Sequence, residues 1–151
     1  MTETAYRRTG RMDGHCLCGA VTIRIGGEHI AAVGVCHCSM CQHWNGAVFG
    51  VFTAAPEAVT ITGPVVRYQS SEFAERAFCQ TCGSHLWMRN TTPPDDYEFM
   101  PGLFPDARDF PLISEIYVDC APAYAPLAGN HRRLTRAEYE SENLFVEGDK
   151  P

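Results

Sequence analysis

The residues in this chain whose types and spacing could do chemistry are its cysteines. Eight occur, and seven fall in three tight groups: Cys16-Leu17-Cys18, Cys36-His37-Cys38-Ser39-Met40-Cys41 and Cys79-Gln80-Thr81-Cys82, with Cys120 alone. Two cysteines separated by one residue make a strained disulfide. The same short loop can aim two thiolates at a common point about 2.3 Å from a zinc ion. Cys18-Gly19 and Cys82-Gly83 add a glycine after the last cysteine of a group, which lets the backbone curl back and direct N–H groups at the sulfurs. The spacing therefore predicts metal ligation for the seven grouped cysteines, over disulfides or inert buried thiols. All-thiolate ligand sets select zinc or iron. Zinc is favoured because iron–sulfur centres use longer runs of closely spaced cysteines, and iron stays as the minor alternative.

Zinc knuckles usually contribute two ligands each to a closed tetrahedron. Cys16 and Cys18 with Cys79 and Cys82 are expected to form such a four-thiolate site, structural because it leaves no coordination position for chemistry. Cys36, Cys38 and Cys41 then form a second site with three protein ligands and one open position, the form of a catalytic zinc. Cys120 or a histidine could close that site instead. His43 and His85 are the nearer histidines in sequence, and a tight loop points His37 away from the ligands on either side of it. Cys120 reads more readily as a small buried hydrophobe.

Strands must position these groups. Residues 20–25 alternate, with Val21, Ile23 and Ile25 on one face and Thr22 and Arg24 on the other, and Gly26-Gly27 is expected to turn the chain. Residues 30–35 run into Cys36, and residues 47–52 form another apolar run. Residues 59–62 and 65–69 flank Gly63-Pro64 and read as a hairpin-like pair. Residues 75–78 lead into Cys79 and residues 85–89 lead away from Gly83, a strand–knuckle–strand unit. Residues 97–100 and 114–118 read as later strands, with a loop over 101–111. Thr135-Arg136-Ala137-Glu138 has capping-box form, so a short helix could run to about Leu144, and residues 148–151 read as a frayed tail.

Composition agrees with one globular domain: 151 residues, 45% hydrophobic and 20% charged. A net charge of −6 counts against a general binder of nucleic acid or anionic membrane. No stretch approaches the roughly 18 apolar residues of a membrane span. The polar first eleven residues lack the apolar core of a secretory signal, so a reducing, cytoplasmic setting is expected.

The order Gly14-His15-Cys16-Leu17-Cys18-Gly19-Ala20-Val21, then Cys36-His37-Cys38-Ser39-Met40-Cys41, then Tyr68-Gln69-Ser70-Ser71, then Arg76-Ala77-Phe78-Cys79-Gln80-Thr81-Cys82-Gly83-Ser84 resembles the glutathione-dependent formaldehyde-activating enzyme family, which also contains the centromere protein V domain. The resemblance spans residues 14–125. It implies a mainly β fold, a single domain of antiparallel sheets arranged like a tent and pinned by zinc, to which the chain adds its short helical C-terminal segment. The corresponding division is a tail over 1–13, the zinc-binding domain over 14–126 and a C-terminal extension over 127–151. In the family, the first and third clusters hold structural zinc and the central cluster holds a second, more labile zinc taken as catalytic. All seven positions are cysteine here, so two zinc ions per chain are expected. The family's late segment commonly reads strand, Ser, then Ala-Pro-Trp. This chain has Val118-Asp119-Cys120-Ala121-Pro122-Ala123-Tyr124, and the lost Trp alters a packing or pocket wall.

The activity implied is that of a carbon–sulfur lyase or synthase, adding the glutathione thiol to formaldehyde to give S-hydroxymethylglutathione. Three thiolates make the open site formally anionic, which weakens zinc as a Lewis acid and favours thiolate exchange. Glutathione is anionic and so is the protein, so a local arginine must supply docking charge. Arg67, Arg76 and Arg89 flank the strands near the clusters and are the candidates. The competing class is a zinc module without turnover, carrying glutathione or docking on a protein. A zinc-ribbon nucleic-acid binder is disfavoured by the acidic charge and the lack of a basic stripe.

Overall fold

A computed structural model of the chain describes residues 3–148, so the last part of the expected frayed tail, residues 149–151, lies outside the described residues. In chain order the elements are β1 (Arg7–His15), β2 (Thr22–Ile30), β3 (Val33–Cys36), α1 (Ser39–Asn45), β4 (Phe49–Ala54), β5 (Val59–Thr62), β6 (Val65–Gln69), β7 (Ala74–Cys79), β8 (His85–Asn90), β9 (Tyr97–Phe99), β10 (Leu112–Ile116), β11 (Arg132–Leu134) and α2 (Arg136–Glu140). The protein is mainly β, as expected, and has two short α-helices among the described residues, of which only the C-terminal one was expected. It groups into two compact units, each made of separated stretches: residues 3–32 with Val51–Phe110, and Val33–Gly50 with residues 111–148. The changeovers fall beside or within strands and not in a Gly/Ser-rich linker, so composition carries no sign of them.

In the first unit β1 and β2 form an antiparallel hairpin from Arg7↔Ile30 to His15↔Thr22. The alternation expected from residue 20 holds: Val21, Ile23 and Ile25 are buried, and Thr22 and Arg24 exposed. Two expectations change here. Residues 7–13, assigned above to a tail, are strand; of β1 only Met12 and Gly14 are buried, so the apolar pattern is too sparse to announce it. The hairpin's ladder and the bonds of Arg11 and Arg24 to Asp13, at 2.8 and 2.9 Å, hold it instead. Gly26-Gly27 does not turn the chain but continues β2 opposite Arg11 and Gly10. A Cβ on Gly27 would lie 2.9 Å from that of Ala58, so the glycine serves close packing.

The expected pairing of residues 59–62 with 65–69 is also replaced. β5 pairs with β2, from Ile25↔Val59 to Thr22↔Thr62, while β6 pairs with β7. Gly63 marks the parting. Its φ is 120°, and a Cβ there would sit 2.1 Å from the Ala20 carbonyl oxygen. From β6 the order is antiparallel through β7, β8 and β9 to β4, with Phe52 opposite Phe99. The core is aromatic: Phe52, Trp87, Phe99 and Phe104 are at most 2% exposed, and Phe52 meets Phe104 edge-on at 5.2 Å. Each such burial contributes about 1.5–3 kcal/mol relative to exposure. The loop expected over 101–111 carries two 3-10 turns, Pro101–Leu103 and Pro105–Ala107, which bring Phe104 inward.

In the second unit β10 pairs in parallel with both β3 and β11, so the sheet pairing is mixed and not antiparallel throughout. Ile116 is opposite Cys36 and Leu134 opposite Ile116. Among the described residues no helix is long and apolar enough to cross a membrane. Helix α2 has the expected capping box, with Thr135 and Glu138 bonding each other's backbone N–H. It stops at Glu140, short of Leu144, where the side chains of Ser141 and Asn143 take the Glu138 and Tyr139 carbonyls.

Candidate metal centres

The first unit gathers Cys16, Cys18, Cys79 and Cys82, whose sulfurs lie within 4.8 Å of one another. Cys16 and Cys18 come from the loop joining β1 to β2, and Cys79 and Cys82 from the knuckle between β7 and β8. A tetrahedral ion with bonds of about 2.3 Å holds its sulfurs about 3.8 Å apart. The Cys16–Cys18 and Cys18–Cys79 sulfurs are 3.6 and 3.9 Å apart, so the set fits such an ion. Both loops curl as the sequence suggests: Gly19 and Gly83 have φ of 78° and 75°. The Val21 N–H donates to the Cys16 sulfur at 3.2 Å, and the Ser84 hydroxyl lies 3.2 Å from that of Cys82. That hydroxyl, with backbone N–H groups, holds the Cys82 thiol down at about 5. The Ala20 N–H favours the Cys18 thiolate, but burial and three neighbouring thiols push Cys18 up to about 12. Four thiols so close ionise together only around a cation.

The second unit gathers Cys36, Cys38 and Cys41, with sulfurs again within 4.8 Å. Cys36 ends β3, Cys38 caps α1 and Cys41 lies in its first turn. This helix was not expected from the sequence: its cap is a cysteine, whose sulfur accepts the Cys41 N–H at 3.5 Å, and it is closed by Gly46 at φ 68°. The Cys38 N–H donates to the Cys36 sulfur at 3.5 Å. The thiols of Cys38 and Cys41, and then burial, push Cys36 far above its usual range. Among the described residues no fourth Cys, His, Asp or Glu joins this group. Cys120 has its sulfur 3.8 Å from an Arg136 nitrogen, and His43 turns Nδ1 to the Ser39 carbonyl at 2.7 Å. His85 lies in the other unit, where burial and then Arg76 lower its pKa.

His37 does point away from its flanking cysteines. It is fully buried, and its Nε2 lies 2.8 Å from Glu115 Oε1. The second Glu115 oxygen takes His131 Nε2 and, at 3.1 Å, Arg133 Nε. Gln42 Nε2 donates to the carbonyls of His37 and Cys120 at 2.6 and 3.0 Å. Tyr117 follows β10 at φ 57°, a conformation bulky residues rarely adopt, and donates its hydroxyl to Glu140 at 3.1 Å. Burial first, then Glu140 and the charges of Cys38 and Cys36, push its pKa up. Sequence reading missed Glu115, His131, Gln42 and Tyr117. The available signal was His37 itself, since an imidazole turned inward between two cysteines needs a buried partner.

Arg67, Arg76 and Arg89 lie on β6, β7 and β8, in the unit of the four-cysteine group. Arg67 is exposed and 3.9 Å from Glu75, Arg76 is buried, and Arg89 pairs with Asp95 and sits 4.4 Å over the Tyr97 ring. The arginines of the three-cysteine unit are Arg132, Arg133 and Arg136.

Known proteins are similar to this chain. An uncharacterised lyase of Schizosaccharomyces pombe is 30% identical over 111 residues, covering 73% of this chain and 80% of its own length. A Halomonas elongata protein, provisionally named a glutathione-dependent formaldehyde-activating enzyme, is 28% identical over 143 residues, covering 88% of this chain and 91% of its own. A crystal structure of a Rhodobacter sphaeroides protein superposes with a TM-score of 0.53 at 26% identity, over 67% of this chain and 99% of that one. The model of the glutathione-dependent formaldehyde-activating enzyme family matches residues 11–120, which take in all seven grouped cysteines, and the chain belongs to that family.

Proposed function

We propose that the chain joins a small thiol to a small aldehyde, reversibly, at the three-cysteine site, with glutathione and formaldehyde as the substrate pair and zinc in both cysteine groups. The observation that carries this reading is the contrast between the groups: four converging sulfurs in one and three in the other. In the reaction the thiol sulfur bonds the aldehyde carbon, the carbonyl π pair moves to oxygen, and the proton leaving sulfur ends on that oxygen. Zinc held by Cys36, Cys38 and Cys41 would supply an open position that lowers a thiol's pKa or polarises a carbonyl. The N–H groups of Cys38 and Cys41 bond two of the sulfurs and temper the charge of three thiolates. The eight free cysteines suit a reducing, cytoplasmic setting.

The test is a glutathione titration of fully loaded protein and of protein depleted of its second metal. Affinity should fall more than about tenfold, or about 1.4 kcal/mol, on depletion. Equal affinity in both forms would defeat this mechanism and leave a carrier without turnover. No binding in either form would point to another thiol.

A further inference from the structure

We infer that Glu115 is the positioning residue of the three-cysteine site, and that the segment after residue 126 completes that site through His131 and Arg133. The inference rests on the metal reading above. The family match ends at residue 120, so His131 and Arg133 lie outside it.

Side chains alternate along an extended chain, so a His37 ring fixed inward sends Cys36 and Cys38 together to the other side. Three bonds fix it. The His37 N–H donates to the Ile116 carbonyl at 3.0 Å, its own carbonyl accepts from Gln42, and its ring meets Glu115. Glu115 is in turn held by β10, whose register sets Glu115 opposite Val35 and Ile116 opposite Cys36. A carboxylate only 4% exposed needs partners for its charge. Burial works against the ionised form, but the bonds from His131 and His37 hold the carboxyl below the usual range. His131 is itself buried, at 2% side-chain exposure. Arg133 ties the network to the segment before β11, donating to the Leu127 and Gly129 carbonyls at 3.1 Å each. Helix α2 adds a second anchor, with Glu140 on the Tyr117 hydroxyl and the Arg136 N–H on Asp119 at 2.7 Å. The direction of two ligands is thus set by a carboxylate whose other two partners, His131 and Arg133, follow residue 126.

The experiment loads the full chain with cobalt(II) and follows metal release to a chelator from each site, with the cobalt–thiolate absorption of each. Glu115→Gln and His131→Ala should speed release from the three-cysteine site by at least about tenfold and shift its absorption, with the four-cysteine site within about twofold of wild type. His131→Gln, which keeps an N–H donor, should recover most of the loss. Unchanged release, or equal acceleration at both sites in step with a lowered melting temperature, would overturn the inference. Should Glu115→Gln fail to fold, Arg133→Ala, at a side chain 41% exposed, is read by the same criteria. If the wild-type three-cysteine site takes up no cobalt, the metal reading falls and this inference with it.

Discussion

Replacing Gly63 by alanine tests whether one close backbone approach holds the four-cysteine site together. Gly63 has φ 120°, where an L side chain is strained, and the new Cβ would lie 2.1 Å from the Ala20 carbonyl oxygen and 2.9 Å from the Val21 Cα. Both contacts are backbone, so no side chain can swing clear, and the two segments must separate. Strain of about 1–3 kcal/mol and overpacking of a similar size sum to about 2–6 kcal/mol. For a chain of this length each kcal/mol lowers Tm by about 2–4 °C, so a fall of roughly 12 °C is expected. The displaced segment is the loop of Cys16 and Cys18: Ala20 follows Cys18-Gly19, and the Val21 N–H bonds the Cys16 sulfur. Metal release from the four-cysteine site should therefore accelerate while the three-cysteine site is unchanged. Gly102→Ala is the control, since a Cβ there meets nothing within 4 Å, and it should not lower Tm. Scanning calorimetry with site-resolved chelation reads both effects. A Tm fall below about 4 °C for Gly63→Ala would refute the reasoning, because about 2 kcal/mol at about 2 °C each is the smallest cost that strain and overlap leave.

Metal analysis should find two ions per fully loaded chain, held unequally. Cys79→Ser should unfold or aggregate the protein, because a structural zinc contributes about 10–16 kcal/mol of folding free energy, whereas Cys38→Ser should empty only the second site. Equal loss of stability in both would make both sites structural. Burial raises Glu98 to about 7. Its folded pKa lies above the unfolded value near 4.3, so the native state binds more protons and stability falls as pH rises from there to about 7. Glu98→Gln should raise Tm at pH 8 and leave it little changed below pH 4, read by thermal melts. An equal effect at both pH values would remove Glu98 as the cause.

How much of this was legible in the sequence depended on the range of each interaction. The alternation of Val21, Ile23 and Ile25, the capping box of Thr135 and Glu138, and the glycine turns after Cys18 and Cys82 are set within a few residues, and they appear as read. The convergence of each cysteine group was legible in its spacing, since a short loop directs its thiolates to one point, and folding gathers the sulfurs as four and three. What the sequence could not carry were choices among distant partners. β1 has too few apolar residues to announce itself and exists because β2 offers it a ladder. β5 and β6 part at Gly63 because β2 and β7 are available to them. Nothing near Glu115 marks it as the carboxylate behind His37, 78 residues earlier, or as the partner of His131. A converging cysteine group can be recognised by its neighbours in sequence. The carboxylate behind it can be recognised only once folding removes water from a charge and leaves it two imidazoles and a guanidinium among the described residues.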